Sequence, residues 1–179
     1  MLYDNAIDEE LAQMEKDSEV SEKVLEVSQI QVPLRQLMRD CITIDISATT
    51  QQAIDLLIEH HIGAASVVEG STLKGIFGER DVLRKIMNKD VADLDNIPVT
   101  QFMKADPQTA SPDDMLDTAI LYMAKGGFRH IPIVDEQNNP IGMVSIRDVI
   151  SYLVDYFPQE VLTLPPNPVR GALKAREGA

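Results

Sequence analysis

Ser145 and Asp148 stand three residues apart, just after the apolar run Gly142-Met143-Val144 and at the head of a helical pattern. A carboxylate only accepts hydrogen bonds and has two oxygens, so one at this place suits both hydroxyls of a ribose. The Ser145 hydroxyl, together with the N–H groups a helix start leaves unpaired, suits a phosphate. The same two residues also read as an S-x-x-D box that merely caps the helix. Local sequence leaves both readings open. Upstream, Arg129 and His130 precede a strand pattern. Arg129 offers a guanidinium fork to a phosphate, or a surface ion pair. Earlier in the chain Arg80 and Asp81 echo Arg147 and Asp148, but Gly78 stands where the later segment has Ser145.

Little else in the chain is suited to chemistry. Acid–base or nucleophilic catalysis needs a base held within reach of the reacting group. The 179 residues contain three histidines and one cysteine, with no G-x-S-x-G, P-loop or G-x-G-x-x-G pattern. Gly126-Gly127 is a turn signal only. We expect a protein that is not an enzyme. His60 and His61 are adjacent and point apart, His130 is distant, and Cys41 has no zinc-spaced partner, so no metal site is expected.

Composition narrows the partners. The net charge of −13 opposes binding to DNA or RNA and to anionic membranes. Residues 1–30 hold nine acids against Lys16 and Lys23, a net of −7. Aromatic residues are 4% of the chain, too few to stack a run of bases. No apolar run reaches the roughly 18–20 residues that span a bilayer. The acidic start is unlike a signal peptide, and a lone cysteine gives no internal disulfide, so a cytoplasmic protein is expected.

The elements that must position these residues occur twice. KGIFGERD at 74–81 matches IGMVSIRD at 141–148, an offset of 67. Ala64–Val68 matches His130–Val134 at 66, and Gln36-Leu37-Met38 matches Gln101-Phe102-Met103 at 65. One unit has been duplicated with small changes in turn length. Each copy opens with a proline-led turn (33–38 and 98–103). A short extended segment follows, Thr43–Ile46 or around Thr109-Ala110. Next comes an amphipathic helix, with Ala53, Leu56, Leu57 and Ile58 near one face of the first and Met115, Leu116, Ala119, Ile120 and Met123 on the second. Ser111-Pro112-Asp113-Asp114 reads as the start of that second helix. A hairpin (64–69 with 73–77, and 130–135 with 141–144) and a final helix (79–87 and 146–156) complete a β-α-β-β-α unit. Residues 5–30 carry helical stripes, and four prolines within 158–168 predict an extended arm.

The tandem unit, with Phe128-Arg129-His130-Ile131-Pro132-Ile133-Val134-Asp135, Gly142–Asp148 and Gly75–Asp81, resembles a pair of CBS (cystathionine β-synthase) domains, a Bateman module of the stand-alone bacterial type. The resemblance covers about residues 31–157. It implies an α+β fold in which two repeats, 31–92 and 93–157, are related by a pseudo-twofold axis. A helical extension (1–30) precedes them and a tail (158–179) follows. It further implies a regulatory sensor that binds AMP, ADP, ATP or S-adenosylmethionine between the repeats, AMP or ATP being favoured, with no obligatory cofactor. A homodimer and an unidentified effector protein are the implied partners. Leu83, Ile86, Val149 and Leu153 could serve the dimer or the core equally.

By the family pattern the backbone at His130 and Ile131 meets the adenine, Thr109 and Ala110 lie across from it, and Pro132 fixes the strand. The binding set is then Ser145, Arg147, Asp148, Thr109, Ala110, Phe128, Arg129, His130, Ile131 and Pro132, with Asp81 and Arg80 from the first repeat. Because Ile62-Gly63-Ala64 replaces Phe128-Arg129-His130, the Asp81 side offers no matching cation. We expect one strong site per chain, beside Asp148. The rival expectation is an interaction module whose clefts are vestigial.

Overall fold

The computed structural model describes residues 31–87, 91 and 93–156. The helical extension and the proline-rich arm expected from the sequence lie outside the described residues. Ala64-Ala65-Ser66-Val67-Val68, small and β-branched, forms β2 (Ala64–Glu69), buried at every position but the last. It is flanked by β1 (Thr43–Asp45) in parallel and β3 (Thr72–Gly78) in antiparallel pairing, and β4 (Lys104–Ala105) closes a four-stranded sheet in the order β1-β2-β3-β4. The second copy repeats this with β5 (His130–Val134) and β6 (Pro140–Ser145). His130 pairs with Ser145 as Ala64 pairs with Gly78. Its flanking strands shrink to single bridges, Ala110 to Ile133 in parallel and Arg39 to Met143 in antiparallel.

Helix α1 (Thr50–Glu59) starts with a capping box: the Gln52 N–H donates to the Thr49 hydroxyl at 3.2 Å, and the Thr49 N–H donates to the Gln52 side chain at 2.9 Å. Ala53 and Leu57 are buried in the core, whereas Ile58, expected on the same face, is 65% exposed. It falls one residue beyond the i, i+4 stripe. Helix α3 (Leu116–Gly126) buries Leu116, Ala119 and Met123. It begins later than expected. Ser111–Asp114 forms a separate turn, with the Ser111 N–H bonded to the Asp114 carboxylate at 2.8 Å, and Met115 takes the N-cap position. The first repeat's last helix is also irregular. One α-turn, α2 (Glu79–Asp81), widens into a π-turn at Val82–Ile86, while its counterpart α4 (Ile146–Tyr156) is a regular α-helix. Ile86 and Val149 are core residues at 4% and 2% exposure, but Leu83 is exposed.

The repeats exchange their opening segments. Val99 and Phe102, from the 3-10 turn that opens the second repeat, sit in the first repeat's core with Ala53, Leu57, Val67 and Phe77. The Val99 N–H donates to Ala48 and the Thr50 N–H to Ile97. In the reverse direction the Leu34 N–H donates to Asp114 and the Leu116 N–H to Val32. Glycine leaves room for a methionine side chain at both crossings. A Cβ on Gly75 would lie 2.5 Å from the Met103 sulfur, and one on Gly142 would lie 2.8 Å from that of Met38. Two α+β units related by a pseudo-twofold axis thus complete one another.

Candidate ligand-binding site

Exchange brings together residues that are far apart in sequence, and two hollows result. One, of about 320 Å³, is lined by Arg39, Asp40, Ile42, Ile62, Gly63, Arg129, His130, Met143, Ser145, Arg147 and Asp148, among others. The other, of about 380 Å³, is lined by Gly63, Ile76, Gly78, Glu79, Arg80, Asp81, Arg84, Lys85, Lys104, Phe128, Arg129 and His130, among others. Both lie within the size range of small-molecule sites.

Asp148 heads α4 and is buried. One carboxylate oxygen accepts the Ser145 N–H at 2.9 Å and the Ser145 hydroxyl at 2.5 Å, while that hydroxyl also accepts the Asp148 N–H at 3.3 Å. The S-x-x-D cap is therefore real, and it sits on the hollow's wall. The other oxygen accepts Arg39 Nε at 2.5 Å; the Arg39 side chain is 71% exposed and that of Asp148 is 7% exposed. Burial drives the Asp148 carboxyl upward, but the Ser145 hydroxyl, the Ser145 N–H and Arg39 together outweigh it and hold the group below the ordinary carboxylate range. Asp81 is held differently. Its carboxylate accepts the Gly78 N–H at 3.0 Å and Lys85 Nζ at 2.8 Å, the lysine also donating to the Phe102 carbonyl at 2.6 Å.

His130 and Gly63 meet where the two hollows adjoin, and both line each hollow. Burial pushes the His130 imidazole below the ordinary histidine range; Arg129 and Arg147 act in the same direction, and Glu79 and Asp148 oppose them. The Glu79 N–H bonds the Gly63 carbonyl at 3.1 Å, and the Ile146 N–H bonds the Arg129 carbonyl at 2.8 Å, so the same link recurs in both copies.

Ser145, Arg147, Asp148, Arg129 and His130 share the Asp148 hollow; Arg80 and Asp81 line the other. Phe128, expected beside Asp148, lines the Asp81 hollow instead. The expectation that the Asp81 side lacks a match for the Arg129 guanidinium also fails, because Arg129 itself lines that hollow. The crossing of the repeats carries Phe128 to Asp81, brings Arg129 to both hollows, and sets Ile62 and Gly63 against Asp148. Arg80 does not face the hollow freely, since its Nη1 donates to the Gly127 carbonyl at 2.7 Å. Thr109, Ala110, Ile131 and Pro132 line neither hollow. Ala110, Ile131 and Pro132 are buried in the second sheet, and Thr109 is half-buried beside it. Arg39 and Lys104 were missed from sequence. They are the same repeat position, because Gln-x-Met is followed by a basic residue in both copies, and that extra match is the signal. Among the described residues no group of three or more His, Cys, Asp or Glu is placed to hold a metal ion, and no helix is long and apolar enough to cross a membrane.

A duplicated α+β pair with exchanged openings and paired inter-repeat hollows defines the architecture, and comparison with known proteins gives it a family. The CBS domain model matches residues 34–88 and 99–155, and the chain belongs to that family. A CBS domain-containing protein of Bacillus subtilis is 33% identical over 109 residues, which is 60% of this chain and 74% of that protein. An uncharacterized 17.7 kDa protein of Acidianus ambivalens is 31% identical over 110 residues, 61% of this chain and 65% of its own length. Two solved structures share the fold. A CBS domain protein from Pyrobaculum aerophilum, complexed with AMP, has a TM-score of 0.61 at 22% identity and covers 69% of this chain and 99% of that one. The CBS domain pair of protein MJ0100, complexed with 5′-methylthioadenosine and S-adenosyl-L-methionine, has a TM-score of 0.61 at 23% identity, covering 68% and 98%.

Proposed function

We propose that this chain is a non-catalytic regulatory module that binds an adenine nucleotide or S-adenosylmethionine between its repeats. The observation that carries this reading is the convergence of Ser145, Asp148 and Arg129 on one hollow that also has the apolar side chains Ile42, Ile62 and Met143 in its wall. A buried carboxylate held ionised suits ribose hydroxyls, apolar walls suit a purine, and Arg129 and Arg147 suit a phosphate. Complexes of fold neighbours with AMP and with S-adenosylmethionine support the ligand class. Output would pass through self-association and an effector protein, with the ligand shifting the relation between the repeats. Ile146, Ile150 and Val154 form an exposed i, i+4, i+8 stripe on α4 that supports a homodimer through the final helices.

Thermal shift with AMP, ADP, ATP and S-adenosylmethionine tests the proposal. A ligand at a hundredfold excess over its Kd adds about 2.7 kcal/mol to stability, a rise of several degrees in Tm. No shift with any of the four would favour the second reading, an interaction module with closed clefts. The specific observation on that side is Arg39, which already occupies an Asp148 oxygen.

A further inference from the structure

We propose that the two hollows divide ligands by charge: the Asp81 hollow is the site for a nucleoside polyphosphate, and the Asp148 hollow takes a ligand of lower charge such as a monophosphate. This rests on the nucleotide reading above and adds which ligand goes where. The Asp81 hollow is lined by five cations, Arg80, Arg84, Lys85, Lys104 and Arg129, against the carboxylates of Glu79 and Asp81. The Asp148 hollow has three, Arg39, Arg129 and Arg147, against three carboxylates, Asp40, Glu79 and Asp148. A tail of three or four negative charges is favoured by the first balance and gains nothing from the second.

Pairing within each wall sharpens the difference. The repeated basic residue after Gln-x-Met is consumed on one side only. Arg39 ion-pairs with Asp148, whereas Lys85 ion-pairs with Asp81 and leaves Lys104 unengaged by any carboxylate, its ammonium 5.7 Å from the Phe128 ring centre. Among the described residues Arg84 and Arg129 make no side-chain hydrogen bond or ion pair. Arg84 and Lys85 have no basic counterparts in the second copy, where Ser151 and Tyr152 stand at the same offset. The excess is thus specific to one hollow. Arg84, Lys104 and Arg129 are left to meet phosphates, and Phe128 and Ile76 supply an apolar wall for the base.

Titration calorimetry on the full chain tests this with ATP, AMP and inorganic tripolyphosphate. The proteins compared are wild type, R84E/K104E and the charge-neutral R84Q/K104Q. All four substituted side chains would be exposed, and circular dichroism checks that each variant folds. The expected result is ATP binding at least about tenfold weaker in R84Q/K104Q and weaker still in R84E/K104E, with AMP affinity changed less than about threefold. ATP should also bind more tightly than tripolyphosphate, and lose affinity with added salt more steeply than AMP. Unchanged ATP affinity in both variants overturns the division by charge and leaves the nucleotide reading standing. Tripolyphosphate binding as tightly as ATP overturns the assignment to a nucleotide. Wild type binding tripolyphosphate but neither ATP nor AMP would sink the nucleotide reading itself.

Discussion

Restoring the missing serine to the first repeat destabilises the protein instead of completing a second S-x-x-D site. Gly78 occupies the place of Ser145, and sequence symmetry invites the substitution Gly78→Ser. The backbone itself permits any residue, since Gly78 is extended at φ −148° and ψ 173°. The obstacle is contact. A Cβ at 78 would lie 2.8 Å from the Gly63 carbonyl oxygen and 3.3 Å from the Ala64 Cβ, and that carbonyl already accepts the Glu79 N–H. Backbone on both sides must give way, which for overpacking costs about 1–3 kcal/mol. Loss of glycine's freedom in the unfolded chain returns about 0.4–1 kcal/mol. The midpoints, about 2 and about 0.7 kcal/mol, leave a net destabilisation of about 1.3 kcal/mol, or a Tm lower by about 3–5 °C for a chain of this size. Gly78→Ala isolates the Cβ from any effect of the hydroxyl, and both are read by thermal unfolding followed by circular dichroism. A Gly78→Ala protein as stable as wild type, or more so, would refute the contact argument.

Three other outcomes follow from the same geometry. Arg39→Ala should free an Asp148 oxygen and tighten AMP binding by less than about fivefold in calorimetry, because an ion pair whose arginine is mostly in solvent is worth at most about 1 kcal/mol; a tenfold loss would make Arg39 a ligand-binding group. His130 has a folded pKa below its unfolded value, so its contribution is complete above the unfolded pKa of about 6.5 and is lost as pH falls through it, the unfolded chain taking the proton first. Melting temperature should therefore drop between about pH 7.5 and 5.5, and His130→Gln should flatten that slope; an unchanged slope would count against it. Asp148 works in a lower range, since its depressed folded pKa matters only below the ordinary carboxylate value. Finally, Ile150→Asp places a charge on the exposed α4 stripe and should shift a dimer toward monomer in sedimentation velocity while circular dichroism shows the fold retained, whereas an unaltered mass would place the interface elsewhere.

The duplication was legible because apolar periodicity and the Arg-Asp pairs recur at nearly one offset, and β2, β5, α1 and α4 fall where the patterns put them. What local pattern does not carry is which repeat a segment packs against. Pro33–Leu37 and Pro98–Phe102 look like openings of their own repeats, yet Leu34 and Arg35 bond Asp114 and Pro112 of the second repeat, and Val99 bonds Ala48 of the first. The packing of the repeats carries Phe128 and Arg129 to the Asp81 hollow, and with Arg84, Lys85 and Lys104 in its lining that hollow is the more cationic of the two. Gly78 was visible as a lost hydroxyl, but its reason is the Gly63 carbonyl, a contact between strand ends. The cap reading and the site reading of Ser145 and Asp148 could not be separated in sequence because both are satisfied by the same atoms.

The most direct measurement is titration calorimetry of AMP into wild type and Asp148→Asn, a variant that keeps the side chain's size and removes its charge. Replacing an ionised acceptor beneath the ribose should weaken AMP by at least about tenfold, because hydrogen bonds to a charged group are worth about 1.5–3 kcal/mol. Equal affinity in the two proteins would contradict ribose recognition by Asp148, and with it the role assigned to this hollow.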